Sequence, residues 1–163
     1  MKYSNDLLDQ AYLLLSKEPK RPKQASLRRS ISACYYAVFH AFIDKGCQAL
    51  VKSPNKNHYA REILARGISH NQLKEILKSN NRASTYFLPA TPPTIFYDFA
   101  DNLIEQRHTA DYDLSETFTR LKAIDTFNTA KKSLQLLDAL YAHHPTPLAA
   151  IFSRALLPKS KAR

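Results

Sequence analysis

Tryptophan is absent from this chain, and glycine occurs only as Gly46 and Gly67. So little glycine leaves few positions for the tight hairpins of a β protein and none for a glycine-rich phosphate loop. Cysteine is scarce as well. Cys34 and Cys47 lie on a stretch that reads as one helix, about 20 Å apart at ~1.5 Å per residue, beyond disulfide reach. Neither has metal-ligand spacing, so a reducing, cytoplasmic setting is expected. No apolar run approaches the ~20 residues that span a bilayer. Asp6 and Asp9 interrupt the start of the chain, where a secretory signal needs an apolar stretch. The expectation is a soluble protein without a membrane partner.

Acidic residues are also in deficit, 14 against 24 basic ones, for a formal charge of +10. A positive field favours polyanions in a salt-dependent way. The excess is concentrated: Lys17, Lys20, Arg21, Lys23, Arg28 and Arg29 surround one proline-containing turn, opposed there by Glu18. A solvated surface and an RNA-facing patch are both compatible with that cluster.

What the chain does have is helical periodicity punctuated by proline. At 163 residues it suits one domain with a substantial core. Proline lacks a backbone donor and clashes with the preceding helical turn, and all nine prolines fall between apolar-periodic stretches. Residues 3–17 carry Leu7, Leu8, Ala11, Tyr12, Leu14 and Leu15 at spacings of three and four, which predicts an amphipathic helix. A long helix over 24–51 has the stripe Leu27, Ile31, Tyr35, Val38 and Phe42, and from 33 to 43 only His40 is neither apolar nor aromatic. Such a helix is buried on all sides, at the centre of a bundle and in a subunit interface. Short helices are expected over 58–66, stopped at Gly67, and over 71–78; 79–93 reads as a loop. Thr91-Pro92 then opens a helix carrying Phe96, Ala100 and Leu103, which breaks around 110–113. Asp113 and Glu116 resemble a capping box for a last long helix repeating Phe118, Leu121, Ile124, Phe127, Ala130, Leu134 and Leu137. A proline-rich turn leads to a short apolar helix over 148–157, with Leu148, Ile151, Phe152 and Leu156 as its contact face, and a basic end over 159–163. The fold class is all-α: an up-and-down antiparallel bundle of four to five main helices plus short ones.

Two polar residues interrupt apolar faces. Arg107 continues the spacing of Phe96, Ala100 and Leu103 onto the inward face, where a guanidinium needs an acceptor or a wet cleft. Asp111, one turn on, is a local partner; an Arg whose stem lies over the core at a helix C-terminus is the alternative. His40 is either a satisfied core histidine or part of a polar group with Arg29, Ser32, Tyr36 and Asp44 that suits a phosphate or ribose. No His-x-x-x-His, Cys-x-x-Cys or acidic cluster suggests a metal or cofactor, and no Gly-x-Ser-x-Gly suggests a familiar hydrolase. Catalysis, where present, would use His, Arg and Tyr without metal, a set that matches transfer at a phosphodiester.

Three segments together resemble the HEPN family of small dimeric helical bundles from prokaryotic defence and toxin–antitoxin systems. They are Arg28-Arg29-Ser30-Ile31-Ser32-Ala33-Cys34-Tyr35-Tyr36-Ala37-Val38-Phe39-His40, then Ser69-His70, then Arg107-His108-Thr109-Ala110-Asp111-Tyr112-Asp113. The resemblance covers residues 1–142 and leaves 143–163 as a proline-bounded helix and basic tail. It implies a homodimer, RNA as substrate or ligand, an antitoxin-like protein partner and metal-independent RNA cleavage. Active members carry an Arg followed, after four to six residues, by a His. Here Arg107 matches, but the corresponding positions hold Tyr112, Asp113 and Leu114. Either His108 or His40 takes the missing role with Arg107, or Tyr112 positions a phosphate without cleavage, or the chain is a non-catalytic module for a nucleotide, RNA or protein. The binding set implied is Tyr36, Asp111, Tyr112, Ser32, Arg28 and Arg29.

Overall fold

Lys2–Ser16 forms helix α1 and Gln24–Leu50 forms α2. A computed structural model describes residues 2–51, 57–78 and 95–156, the Tyr97 side chain aside. His58–Gly67 and His70–Lys78 form α3 and α4. Residues 95–112 form α5, whose middle, Asp98–Leu103, is a π turn. Arg120–His143 and Pro145–Leu156 form α6 and α7. All regular structure among the described residues is helical, and no helix there is long and apolar enough to cross a membrane. The loop expected over 79–93, the Thr91-Pro92 cap and the basic end over 159–163 lie outside the described residues.

Helix α2 is the hub, packed by α1, α5, α6 and α7. Its stripe of Leu27, Ile31, Tyr35, Val38 and Phe42 is buried, as is nearly everything from Ala33 to Ile43. Fully burying one such side chain contributes about 1.5–3 kcal/mol, so the absence of a polar face costs this helix nothing. Tyr36 and His40 alone in that stretch are half-buried, and both open into clefts. Helix α1 runs opposite to α2, with Tyr3 against the His40 ring and Ala11 O accepting from buried Ser30 Oγ at 2.8 Å. Leu148, Ile151, Phe152 and Ala155 of α7 are buried in the same core as α2.

Two sequence expectations shift. Helix α6 starts at Arg120, not near Asp113, because Thr119 Oγ1 accepts from Lys122 N at 3.1 Å and so supplies the N-cap. Asp113 instead closes a local turn, its Oδ1 accepting from Ser115 N at 3.0 Å and Ser115 Oγ at 2.6 Å. Leu121, assigned to the inward stripe, is exposed on the first turn of α6, while Phe118 is buried in the loop before it. Gln24 explains that loop: its side-chain amide donates to Phe118 O at 2.8 Å and accepts from Phe118 N at 2.9 Å. Satisfying both backbone groups of Phe118 keeps that residue out of the helix.

Candidate functional site

Arg107 lies on the last α-helical turns of α5 and reaches across to α2. Its Nη2 donates to Tyr36 Oη at 2.8 Å and to Tyr112 Oη at 3.4 Å. Its Nε sits 2.8 Å from Asp111 Oδ2, four residues on. That N–H does not point at the oxygen, so the contact is an ion pair rather than a directed hydrogen bond. The guanidinium carbon is 5.2, 5.5 and 5.7 Å from the ring centres of Tyr112, Tyr36 and Tyr35, within cation–π range. Burial opposes its charge, but the Tyr36 hydrogen bond and the Asp111 carboxylate outweigh it, and its pKa is raised. Nη1 has no partner among the described residues.

Two clefts meet at Arg107. The first, of about 450 Å³, is lined by Arg28, Arg29, Ser32, Tyr36, Asp111 and Tyr112. The second, of about 230 Å³, is lined by Tyr35, His70, Lys74, Glu105 and His108. Tyr112 stands 62% exposed at the edge of the first, its ring centre 5.2 Å from that of His108.

The binding set read from the sequence thus converges on one cleft, with a division of labour. Ser32 Oγ donates to Asp111 Oδ2 at 3.3 Å and helps hold that carboxylate beside Arg107. Arg29 is exposed at the rim of the cleft, with no partner among the described residues. Arg28 lines the cleft too, but its guanidinium is committed elsewhere. Nη1 donates to Ala110 O at 2.9 Å and Thr109 O at 3.5 Å; Nη2 donates to Asp113 O at 2.9 Å and to Glu116 O. The same group lies over the Phe118 ring, 5.3 Å from its centre. Carbonyls at a helix C-terminus lack helical partners and favour a cation. Arg28 therefore fixes the turn that carries Asp111 and Tyr112.

The histidines separate. His108 shares the second cleft with Arg107. His40 faces another cleft, of about 540 Å³, with Tyr3, Asp44, Cys47, His58 and Arg61; its ring packs on Tyr3 and Phe39. The structure instead brings His70 to Arg107. Its ring lies flat on Phe39, 3.8 Å between centres, and its Nδ1 is 2.5 Å from Tyr35 Oη. A local signal for His70 was present: Ser69 and Gln72 form a capping box (Gln72 N to Ser69 Oγ 3.2 Å, Ser69 N to Gln72 Oε1 3.0 Å) that sets His70 at the start of α4. That it meets Arg107 was not readable from the chain. Lys74, one turn on, pairs with Glu105 of α5 at 2.5 Å and ties α4 to α5.

Burial lowers the pKa of His40 below the ordinary 6.5. Burial also lowers that of His70, and the charges of Arg107 and His40 lower it further. The unfolded chain then binds more protons just below pH 6.5, so stability is complete above that value and is lost as pH falls through the depressed folded values. The melting temperature is expected to hold above pH ~7 and to fall toward pH 5, with a shallower fall in His40→Gln. A wild-type melting temperature that is flat or rises over that range would show that neither ring is kept neutral by the fold.

Burial pushes the Cys34 thiol up to about 12 and, foremost among its causes, the Cys47 thiol up to about 11, so neither is a ready nucleophile at neutral pH. Among the described residues no group of three His, Cys, Asp or Glu side chains is placed to hold a metal ion. Comparison with protein-family models, curated proteins and solved structures returned no match.

Proposed function

We propose that this chain is a HEPN-like, up-and-down helical bundle that binds RNA through its phosphates at the Arg107 clefts. On this reading it acts as a homodimer and as the toxin-like half of a pair with an antitoxin-like protein. The observation that carries the proposal is Arg107 itself: a half-buried guanidinium set among three tyrosines, with Nη1 unpartnered among the described residues, where two clefts meet. A planar cation with free N–H groups suits a phosphate oxygen. The adjacent Arg29 and the net charge of +10 favour a polyanion over an isolated anion.

A second reading is favoured by His108, which shares a cleft with Arg107. There the bound phosphodiester is cut. The ribose 2′-hydroxyl passes its proton to His108, the 2′-oxygen bonds to phosphorus, the bond to the 5′-oxygen breaks, and that oxygen takes a proton from solvent. Arg107 stabilises the charge gathering on the phosphate, a contribution worth about 10²–10³ in rate.

Labelled single-stranded RNA in EDTA tests both, with Arg107→Ala, His108→Ala and His40→Ala alongside wild type. Wild type is expected to give a mobility shift that weakens steeply with salt. Arg107→Ala is expected to lose about tenfold or more in affinity, and His40→Ala little. Cleavage abolished by His108→Ala with binding retained supports the second reading. A wild-type protein that neither shifts nor cuts RNA at low salt removes the proposal.

A further inference from the structure

The second cleft contains an imidazole that neither reading uses. His70 is constrained on three sides. The capping box of Ser69 and Gln72 sets its backbone. Phe39 lies against one face of the ring. The Tyr35 hydroxyl occupies Nδ1. Tyr35 is itself buried, and its pKa is raised, first by that burial, so it keeps its proton and has it to donate. A hydroxyl donating to Nδ1 leaves the ring proton on Nε2. Burial, foremost, and the positive charge of Arg107 hold the pKa of the ring below its ordinary value, which is consistent with that assignment. With that tautomer His70, which lines the same cleft as Arg107, carries an N–H donor. It stands on the first turn of α4, where the helix dipole favours an anion.

We propose that His70, fixed through Nδ1 by Tyr35 and backed by Phe39, is a second phosphate-contacting group of the Arg107 site, offering its Nε2–H to a phosphate oxygen. The proposal rests on the RNA reading above and deepens it. One phosphate meets two unlike donors, a permanent cation from α5 and a neutral N–H from α4, and Lys74 joins those helices through Glu105. Tyr35 is a positioning residue here, acting through the ring it orients.

The test uses the full chain with ¹⁵N-labelled histidine, titrated first with pyrophosphate and then with single-stranded RNA. The His70 ring is expected to show the neutral Nε2–H tautomer and to shift with either anion. His70→Ala is expected to lose about tenfold in RNA affinity. His70→Gln, which keeps an N–H near the Nε2 position, is expected to regain most of it, which mere filling of space would not do. Tyr35→Phe is expected to lose the single tautomer and several-fold in affinity. His70→Ala with wild-type affinity, or a ring unmoved by both anions, overturns the inference while leaving an Arg107-dependent RNA shift intact. A ring that shifts with pyrophosphate in a protein that does not bind RNA supports the phosphate contact and places the failure in the RNA reading.

Discussion

Arg28→Met is expected to lower the free energy of unfolding by roughly 2–4 kcal/mol, although Arg28 is only half-buried. Methionine keeps most of the apolar stem over Phe118 but removes every donor. Four backbone carbonyls, from Thr109, Ala110, Asp113 and Glu116, then lose their side-chain partner. Each charged hydrogen bond contributes up to about 1.5–3 kcal/mol when buried. Water re-satisfies part of this group, because the Asp113 and Glu116 ends are open. Lysine cannot substitute, since one ammonium cannot span carbonyls at both ends of the turn. Urea denaturation with an unchanged slope measures the loss, and amide exchange should rise over 109–118. On the proposed RNA reading, affinity should fall with it, because the turn aims Arg107 through Asp111 and Tyr112. Arg29→Ala is the contrast: an exposed side chain whose removal should, on the same reading, weaken RNA binding and leave stability within about 0.5 kcal/mol. If Arg28→Met also stays within that margin, the clamp has no structural weight.

Gly46→Ala should destabilise the fold by about 2–3 kcal/mol, against the direction that helix propensity sets. In an open helix this substitution gains about 1 kcal/mol. At Gly46 the new methyl would lie 2.1–2.4 Å from three atoms of the Phe152 ring. Both residues are buried, and Phe152 is wholly enclosed, so the ring has nowhere to swing. Either α7 lifts from α2 or the core deforms. The double variant Gly46→Ala with Phe152→Leu should recover part of the loss, a coupling that a thermal double-mutant cycle measures. A single variant at least as stable as wild type would mean that α7 is not seated on Gly46 in solution. Helix α7 is thus part of the core that positions α2, whatever its further role.

Much of this architecture is legible in the chain because burial in a helix repeats with the helix. The stripe from Leu27 to Phe42 needed only its own spacing, and Arg107 and His40 stood out as breaks in that spacing. Both misreadings concern the start of α6. Asp113 and Glu116 have the residue types of a helix start, yet Thr119 caps α6, because Gln24 has already taken both backbone groups of Phe118. Leu121 has the right spacing for the core but falls on a first turn that the described residues leave exposed. At the start of α6 a contact from far along the chain outweighed a local preference; at Leu121 the tertiary packing left a core-type side chain outside.

The candidate site divides the same way. Residue types and periodicity alone established an all-helical chain, a buried α2 and an unusual guanidinium on α5, since these follow from interactions within about four residues. Which groups meet that guanidinium depended on how the helices pack. Tyr36 lies 71 positions from Arg107 and still accepts its hydrogen bond. Arg28 looked like a ligand-binding cation and is held instead by carbonyls more than 80 positions away. His40 is half-buried and His70 exposed, both imidazoles near α2, but the packing of α4 brings His70 to Arg107, while His40 opens toward α3. Local spacing says which side chains leave a helix on the same face; only tertiary packing sets what waits across from them.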